Sequence, residues 1–212
     1  MSLVLYEDPL SPWCLVAERR VLAALEQVGG AFTPLRIEPF PLRVEPRALS
    51  PSERRALVRT ARRAAREPEA AGTTPDLWLS RHPPLTTFPA LAALAAARAQ
   101  GAERETALRG ALRDAALVRG IDATRRDVLL ELAGSAGLDV PRFDAALTAP
   151  ATERRVLAAV DEALAKGIET PPALVVGDEW LVTGPRSANE YATVLRRYAA
   201  ARLGLSRLRV IH

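Results

Sequence analysis

The chain has 212 residues, 49% of them apolar and 25% charged, with 17 prolines, one cysteine and a formal net charge of +4. That length suits one sizeable core or one domain carrying a large insertion, and the composition argues against wholesale disorder. One cysteine excludes an intramolecular disulfide, and no segment approaches the ~18 apolar residues of a membrane-spanning helix. The acidic start "MSLVLYEDPL" is unlike a secretory signal, so the expected location is cytoplasmic, with no membrane partner.

"LVLYE" (3–7) predicts a buried strand, bounded by Asp8-Pro9. A helix follows, with Ser11 as N-cap and Pro12 at the first helical position, where a missing N–H costs nothing. Residues 14, 17, 21, 25 and 28 trace its apolar stripe, and Gly29-Gly30 ends it. "FTPLRIEPF" (32–40) predicts a second strand. Helical length or spacing recurs over 52–67, 88–100, 104–119, 124–136, 141–147 and 152–166, with Asp122 or Thr124 and Asp139 or Val140 as candidate starts. "ALVV" (173–176), a Gly177-Asp178 turn and "EWLVT" (179–183) predict a hairpin. A final helix over 187–204 opens on a Ser187–Glu190 capping box.

The run "ERRALVRTARRAARE" (53–67) would place Arg55, Arg59, Arg62 and Arg66 on one helix face. It reads either as a surface for an anionic partner or as a solvated face. Without interleaved aromatic residues or a nucleic-acid motif, the solvated face is favoured and no nucleic-acid partner is expected. Lys166 is the sole lysine, and with the heavy use of alanine the arginine bias looks like codon usage. The two histidines, His82 and His212, have no metal-ligand spacing, so no metal is expected.

The element order is βαβ, a long helical block, then ββα: the two halves of a thioredoxin fold with helices inserted between them. The fold class is therefore α/β, with a thioredoxin-fold domain over 1–48 and 167–212 and a helical domain over 49–166. In that frame "DPLSPWC" (8–14) resembles the active-site turn of the DsbA-like proteins. The specific branch is that of FrnE-type disulfide oxidoreductases, 2-hydroxychromene-2-carboxylate isomerases and kappa-class glutathione transferases. "EPFPL" (38–42), "GIDATRRDVLLELAGSAGLD" (120–139) and "GIETPPALVVGDEWLVTGPRSANEY" (167–191) resemble further stretches of the same branch, in the same order.

The resemblance implies an active motif C-x-x-C in the oxidoreductases and S-x-x-S in many transferases and isomerases. This chain has Ser11-Pro12-Trp13-Cys14, which is neither. Ser11 cannot form a disulfide, so dithiol–disulfide exchange through the motif is excluded. Two readings of Ser11 stand: a hydroxyl that hydrogen-bonds glutathione and favours its thiolate, as the relatives imply, or a helix cap. Cys14 is likewise either a lone reactive thiol at a helix N-terminus or a packing residue on the apolar stripe. Ser11 and Cys14 are the catalytic candidates.

Pro12, Trp13, Pro171, Pro172 and Arg186 are the candidates for binding glutathione or another small substrate. Aligned without gaps, the family's cis-proline falls on Pro172, with Pro171 before it; a shifted register would make Pro171 the cis residue. The residue before the cis-proline pairs its backbone with ligand in the relatives, and Pro171 lacks the N–H, a loss of about 0.5–1.5 kcal/mol. The relatives' Ser-Asp pair after the hairpin glycine is replaced here by Pro185-Arg186, and Arg186 could instead pair with a carboxylate.

The resemblance thus implies a glutathione-dependent transferase or isomerase, with a homodimer as its common assembly. The alternatives are a monothiol oxidoreductase using Cys14 and a non-catalytic binding module.

Overall fold

The computed structural model describes residues 1–205; the rest of the last predicted span, with His212, lies outside the described residues. β1 (Leu3–Glu7), α1 (Pro12–Val28) and β2 (Arg36–Pro39) form the first unit, and β2 is shorter than the predicted 32–40. The block between the sheet's halves holds α2 (Pro51–Ala64), α3 (Asp76–Leu79), α4 (Phe88–Arg98), α5 (Ala102–Arg113), α6 (Arg126–Ser135), α7 (Val140–Leu147) and α8 (Pro150–Ala165). A 3-10 turn at Pro68–Ala70 and the short α3 were not predicted. α5 runs on into a π-helical stretch, Asp114–Val118, where one continuous helix was expected.

The chain closes with β3 (Ala173–Val176), β4 (Trp180–Thr183) and α9 (Ala188–Leu205). The sheet order is β2-β1-β3-β4, with β1 parallel to β2 and the other pairings antiparallel. This is the thioredoxin fold with a helical insertion that the sequence predicts. Gly177 and Asp178 both have positive φ, which suits the right-handed twist of a tight hairpin. A Cβ at Gly177 would also collide with the Tyr198 hydroxyl, so glycine is required twice over there.

Strand alternation sorts the core into two layers. Leu3, Leu5, Leu174 and Val176 face α1 and α9, meeting Val21, Ala24, Tyr191 and Leu195. Val4, Tyr6, Ala173 and Val175 face α8, meeting Val160 and Ala163. A third core fills the helical block, and Leu10, from the turn between β1 and α1, is buried in it beside Trp78 and Leu94. The turn is therefore plugged into the inserted helices.

Among the predicted helix starts, Asp139 caps α7 by accepting the Arg142 N–H at 3.0 Å, and Ser187 and Glu190 make the capping box. Asp122 and Thr124 do not cap α6, whose N-cap is Arg125; Asp122 instead accepts the Thr124 N–H and hydroxyl, closing the loop before it. The run of arginines is divided. Arg55, Arg59, Arg62 and Arg66 are exposed, whereas Arg54 turns inward and donates to the carbonyls of Trp78, Leu79 and Ser80.

Two buried carboxylates hold the end of β1. Asp8 accepts the Leu10 N–H at 2.8 Å and the Leu42 N–H at 2.6 Å, tying the turn to the exit of β2. Burial outweighs these bonds and pushes its carboxyl up to about 6. Glu7, 1% exposed, meets Arg113 Nη2 at 2.6 Å and Arg109 Nε at 3.2 Å, both from α5. Arg113 also meets Glu18 of α1. Arg109 continues through Glu105 to Arg98 and so to Glu38 on β2, at 2.7, 2.7 and 3.3 Å. Burial pushes the Glu7 carboxyl up as well, against the pull of Arg113.

Removing one side of a buried ion pair leaves the other charge stranded, at about 3–5 kcal/mol. Arg113→Met is expected to cost at least about 3 kcal/mol in urea unfolding at pH 7, with much of it recovered in Glu7→Gln/Arg113→Met; a single-variant cost below 1 kcal/mol would mean the network is not structural. Asp8 supplies a pH signature. Its folded-state value lies above the ordinary 3.8, so the folded protein holds the proton more tightly and stability rises as pH falls through about 6. The expected gain from pH 7 to pH 5 is about 1 kcal/mol, taken as wild type minus Asp8→Asn so that Glu7's contribution of the same sign cancels. Equal slopes in the two proteins would sink this assignment.

Candidate active site

The turn of residues 8–11 delivers the chain into α1. Ser11 N–H donates to the Asp8 carbonyl at 3.0 Å, and Ser11 Oγ accepts the Cys14 N–H at 3.4 Å, so the serine is an N-cap as predicted. The Ser11 hydroxyl also lies beside the Cys14 sulfur, toward which it can donate its own proton. The residue is only 4% exposed.

Cys14 is fully buried, one turn into α1. Its sulfur accepts the Asp8 N–H at 3.4 Å and packs under the turn. Burial pushes the thiol well above its ordinary range, and the nearby Glu7 carboxylate pushes the same way; the hydrogen bonds to the sulfur oppose this and lose. A thiolate nucleophile is thus disfavoured by position and by electrostatics.

Above the turn lies a cleft of about 610 Å³. Four sequence-predicted residues converge on it: Trp13 from the first turn of α1, Pro171 and Pro172 before β3, and Arg186 after β4. Ser11, Pro12 and Cys14 do not line it; Pro12, at the first helical position, is buried as well. The Pro171–Pro172 peptide is cis, so Pro172 is the cis residue, as in the ungapped register. Pro172 gives its carbonyl to the Gly184 N–H at 2.9 Å, which joins the strand entry to the hairpin exit. Neither proline has an N–H to offer a ligand.

The sequence reading missed the opposite wall. Thr60 and Arg63 of α2 line it, with Glu67 just beyond the helix. Arg20 of α1 braces the walls together: Nη2 meets Glu67 at 2.5 Å, Nε meets Glu69 at 2.9 Å, and Nη1 donates to the Arg186 carbonyl at 3.5 Å. The signal available was weak, an arginine on the polar side of α1 facing a Glu-Pro-Glu step 47 residues away. His82 lines a separate hollow on the helical block and does not reach the cleft. No helix among the described residues is long and apolar enough to cross a membrane.

Residues 2–196 match the model of the DSBA-like thioredoxin domain. No curated protein matches the sequence. Among solved structures, the chain is similar to a provisionally assigned protein disulfide isomerase from Nitrosomonas europaea, at 21% identity and TM-score 0.77, over 93% of this chain and 96% of that one. It is also similar to the cytosolic disulfide reductase DsbM from Pseudomonas aeruginosa, at 21% identity and TM-score 0.70, over 96% and 100%; that protein has also been solved with GSH, at TM-score 0.65. A 2-hydroxychromene-2-carboxylate isomerase follows at 18% identity and TM-score 0.66, over 98% and 100%. These likenesses are likenesses of fold. With its turn, inserted helices and hairpin inside one continuous match, the chain belongs to the DSBA-like thioredoxin domain family.

Proposed function

We propose that the chain binds a small thiol, glutathione in the first instance, in the cleft over the turn, and acts on it as a transferase or isomerase rather than by disulfide exchange. The observation that carries this reading is the division of labour between Ser11 and Cys14. The one thiol is buried and its ionisation suppressed, whereas the serine hydroxyl beside it at the helix N-terminus can donate a hydrogen bond without ionising. A hydroxyl donor there, with the positive end of the helix behind it, would favour a ligand thiolate over a thiol. Trp13 would give a flat apolar surface for the second substrate, and catalysis would rest on orienting and stabilising the thiolate. The GSH complex of the similarly folded DsbM supports the choice of ligand. A reduced thiol ligand also suits a cytoplasmic setting, and a homodimer is part of the same proposal.

One observation favours the binding module as a second reading. The strand entry at Pro171-Pro172 offers no N–H, and Ser11 is nearly covered, so a thiol held here would be held with fewer bonds than the relatives imply.

Calorimetric titration with glutathione separates the two. Wild type is expected to bind saturably, and Ser11→Gly, which keeps the helix start within a few tenths of a kcal/mol, should weaken binding by about tenfold, the worth of one hydrogen bond to a charged group. Cys14→Ser should leave affinity within about twofold. Binding lost only in Cys14→Ser would overturn this reading in favour of the monothiol, and binding without turnover of any thiol-reactive electrophile would leave the module. The buried thiol has its own test. Cys14 should react with an aromatic disulfide reagent at least about a hundredfold more slowly in the native protein than in urea, because attack awaits an opening event; comparable rates would restore Cys14 as a working group.

A further inference from the structure

Five charged side chains line the cleft: Arg20, Arg63, Glu67, Arg186 and Glu190. Three of them are engaged within the protein. Arg20 and Glu67 pair with each other, and Arg20 also holds Glu69. Glu190 is held in the capping box, where Oε2 accepts the Ser187 N–H and hydroxyl at 2.8 and 2.7 Å; these bonds keep its carboxyl below the ordinary range, so it stays ionised at the helix N-terminus that stabilises it. Arg63 and Arg186 remain. Both are exposed, and among the described residues neither guanidinium has a hydrogen bond or ion pair. Arg186 feels Glu190 only through space, without pairing to it.

The two arginines come from opposite walls, Arg63 from α2 and Arg186 from the segment after β4, with Trp13 and Pro172 in the same cleft. Outside the cleft, α2 and its end add Arg55, Arg59, Arg62 and Arg66, exposed and likewise unpaired among the described residues. Glu53 is bound to Arg47 and Ser50, and Glu67 and Glu69 share Arg20, so none of these acids pairs directly with the exposed arginines. The exposed arginines of α2 thus lend the rim of the cleft a positive charge that draws anions toward it.

We infer that the cleft takes a ligand with two carboxylates, one for Arg63 and one for Arg186, so that its substrates are dicarboxylate thiols or thioethers rather than neutral thiols. Each fork-shaped guanidinium can hold a carboxylate through two parallel hydrogen bonds. The thiol half of this statement rests on the proposed function; the dicarboxylate half does not.

The test titrates glutathione and glutarate, a dicarboxylate without a thiol, into wild type, Arg63→Ala, Arg186→Ala, Ser11→Gly and Arg55→Ala at low and high salt. Arg63→Ala and Arg186→Ala are each expected to weaken both ligands by about fivefold or more and to flatten the salt dependence, while Arg55→Ala changes affinity less than twofold. Ser11→Gly should weaken glutathione and spare glutarate. Glutarate binding that depends on the two arginines, with no glutathione binding, would keep the dicarboxylate site and remove the thiol reading. Glutathione binding that needs Ser11 but is unchanged in both arginine variants would do the reverse. Failure of wild type to bind either ligand would overturn both.

Discussion

The buried contact between Glu7 and Arg113 is the constraint on which the placement of the site depends. Glu7 is the last residue of the central strand and Arg113 the last of α5, so this one pair fixes the inserted helices against the sheet where the chain turns into α1. Arg113 reaches Glu18 on α1 as well, and the Arg109–Glu105–Arg98–Glu38 relay repeats the tie at β2. Apolar packing could hold these elements together, but it is non-directional and would tolerate sliding. Charges this deep cost several kcal/mol each to desolvate, and their attraction offsets that cost in only one arrangement. Among the described residues Glu7 Oε1, Arg109 Nε and Arg113 Nε each lack a hydrogen bond, so the network is not optimised for net stability. We take its contribution to be orientation: Leu10 enters the helical core and Asp8 reaches Leu42 only when α5 is in register with β1.

Much of this architecture was legible because it is written in local chemistry. Ser11-Pro12 begins α1, Gly177-Asp178 turns the hairpin and Ser187 with Glu190 opens α9, and each signal needs only neighbours within four residues. The ion network was not legible, because its partners are separated by up to 106 residues and a glutamate at a strand end reads as a surface residue. The same limit hid Arg20 and Arg63. In an arginine-rich chain no single arginine stands out, and only the fold separates Arg54, turned inward onto three carbonyls, from Arg63, turned toward the cleft. The π-helical stretch after α5 escaped for a different reason: its residues suit an ordinary helix, and its departure comes from tertiary fit, with Ile121 N–H donating back to Ala115 at its end.

The network also weighs on the two readings of the lone cysteine. A helix N-terminus stabilises a thiolate by about 0.3–1 kcal/mol in ordinary settings, up to about 2 when partly buried. Removing a charge from water costs several times that, and the Glu7 carboxylate beneath Cys14 adds repulsion instead of relief. Burial therefore wins. The sulfur serves as an acceptor for the Asp8 N–H, a structural use that asks nothing of its reactivity. The serine three residues earlier meets the same helix end without that penalty, because a hydroxyl does not have to ionise to donate a hydrogen bond.

What the protein withholds from its own thiol it can offer to a ligand's. A thiolate brought into the cleft would arrive with solvent still on one side, opposite two arginines that have no partner among the described residues, and above a helix N-terminus. The carboxylate that suppresses Cys14, Glu7, is held by Arg109 and Arg113 on the buried side of the turn. The turn thus separates two electrostatic environments a few residues apart. On the inner side negative charge is confined and paired, and on the outer side positive charge is left open. A serine at the first position of the motif cannot form a disulfide there, and on the proposed reading this separation is what makes stabilisation of an incoming anion physically reasonable at the same place in the fold.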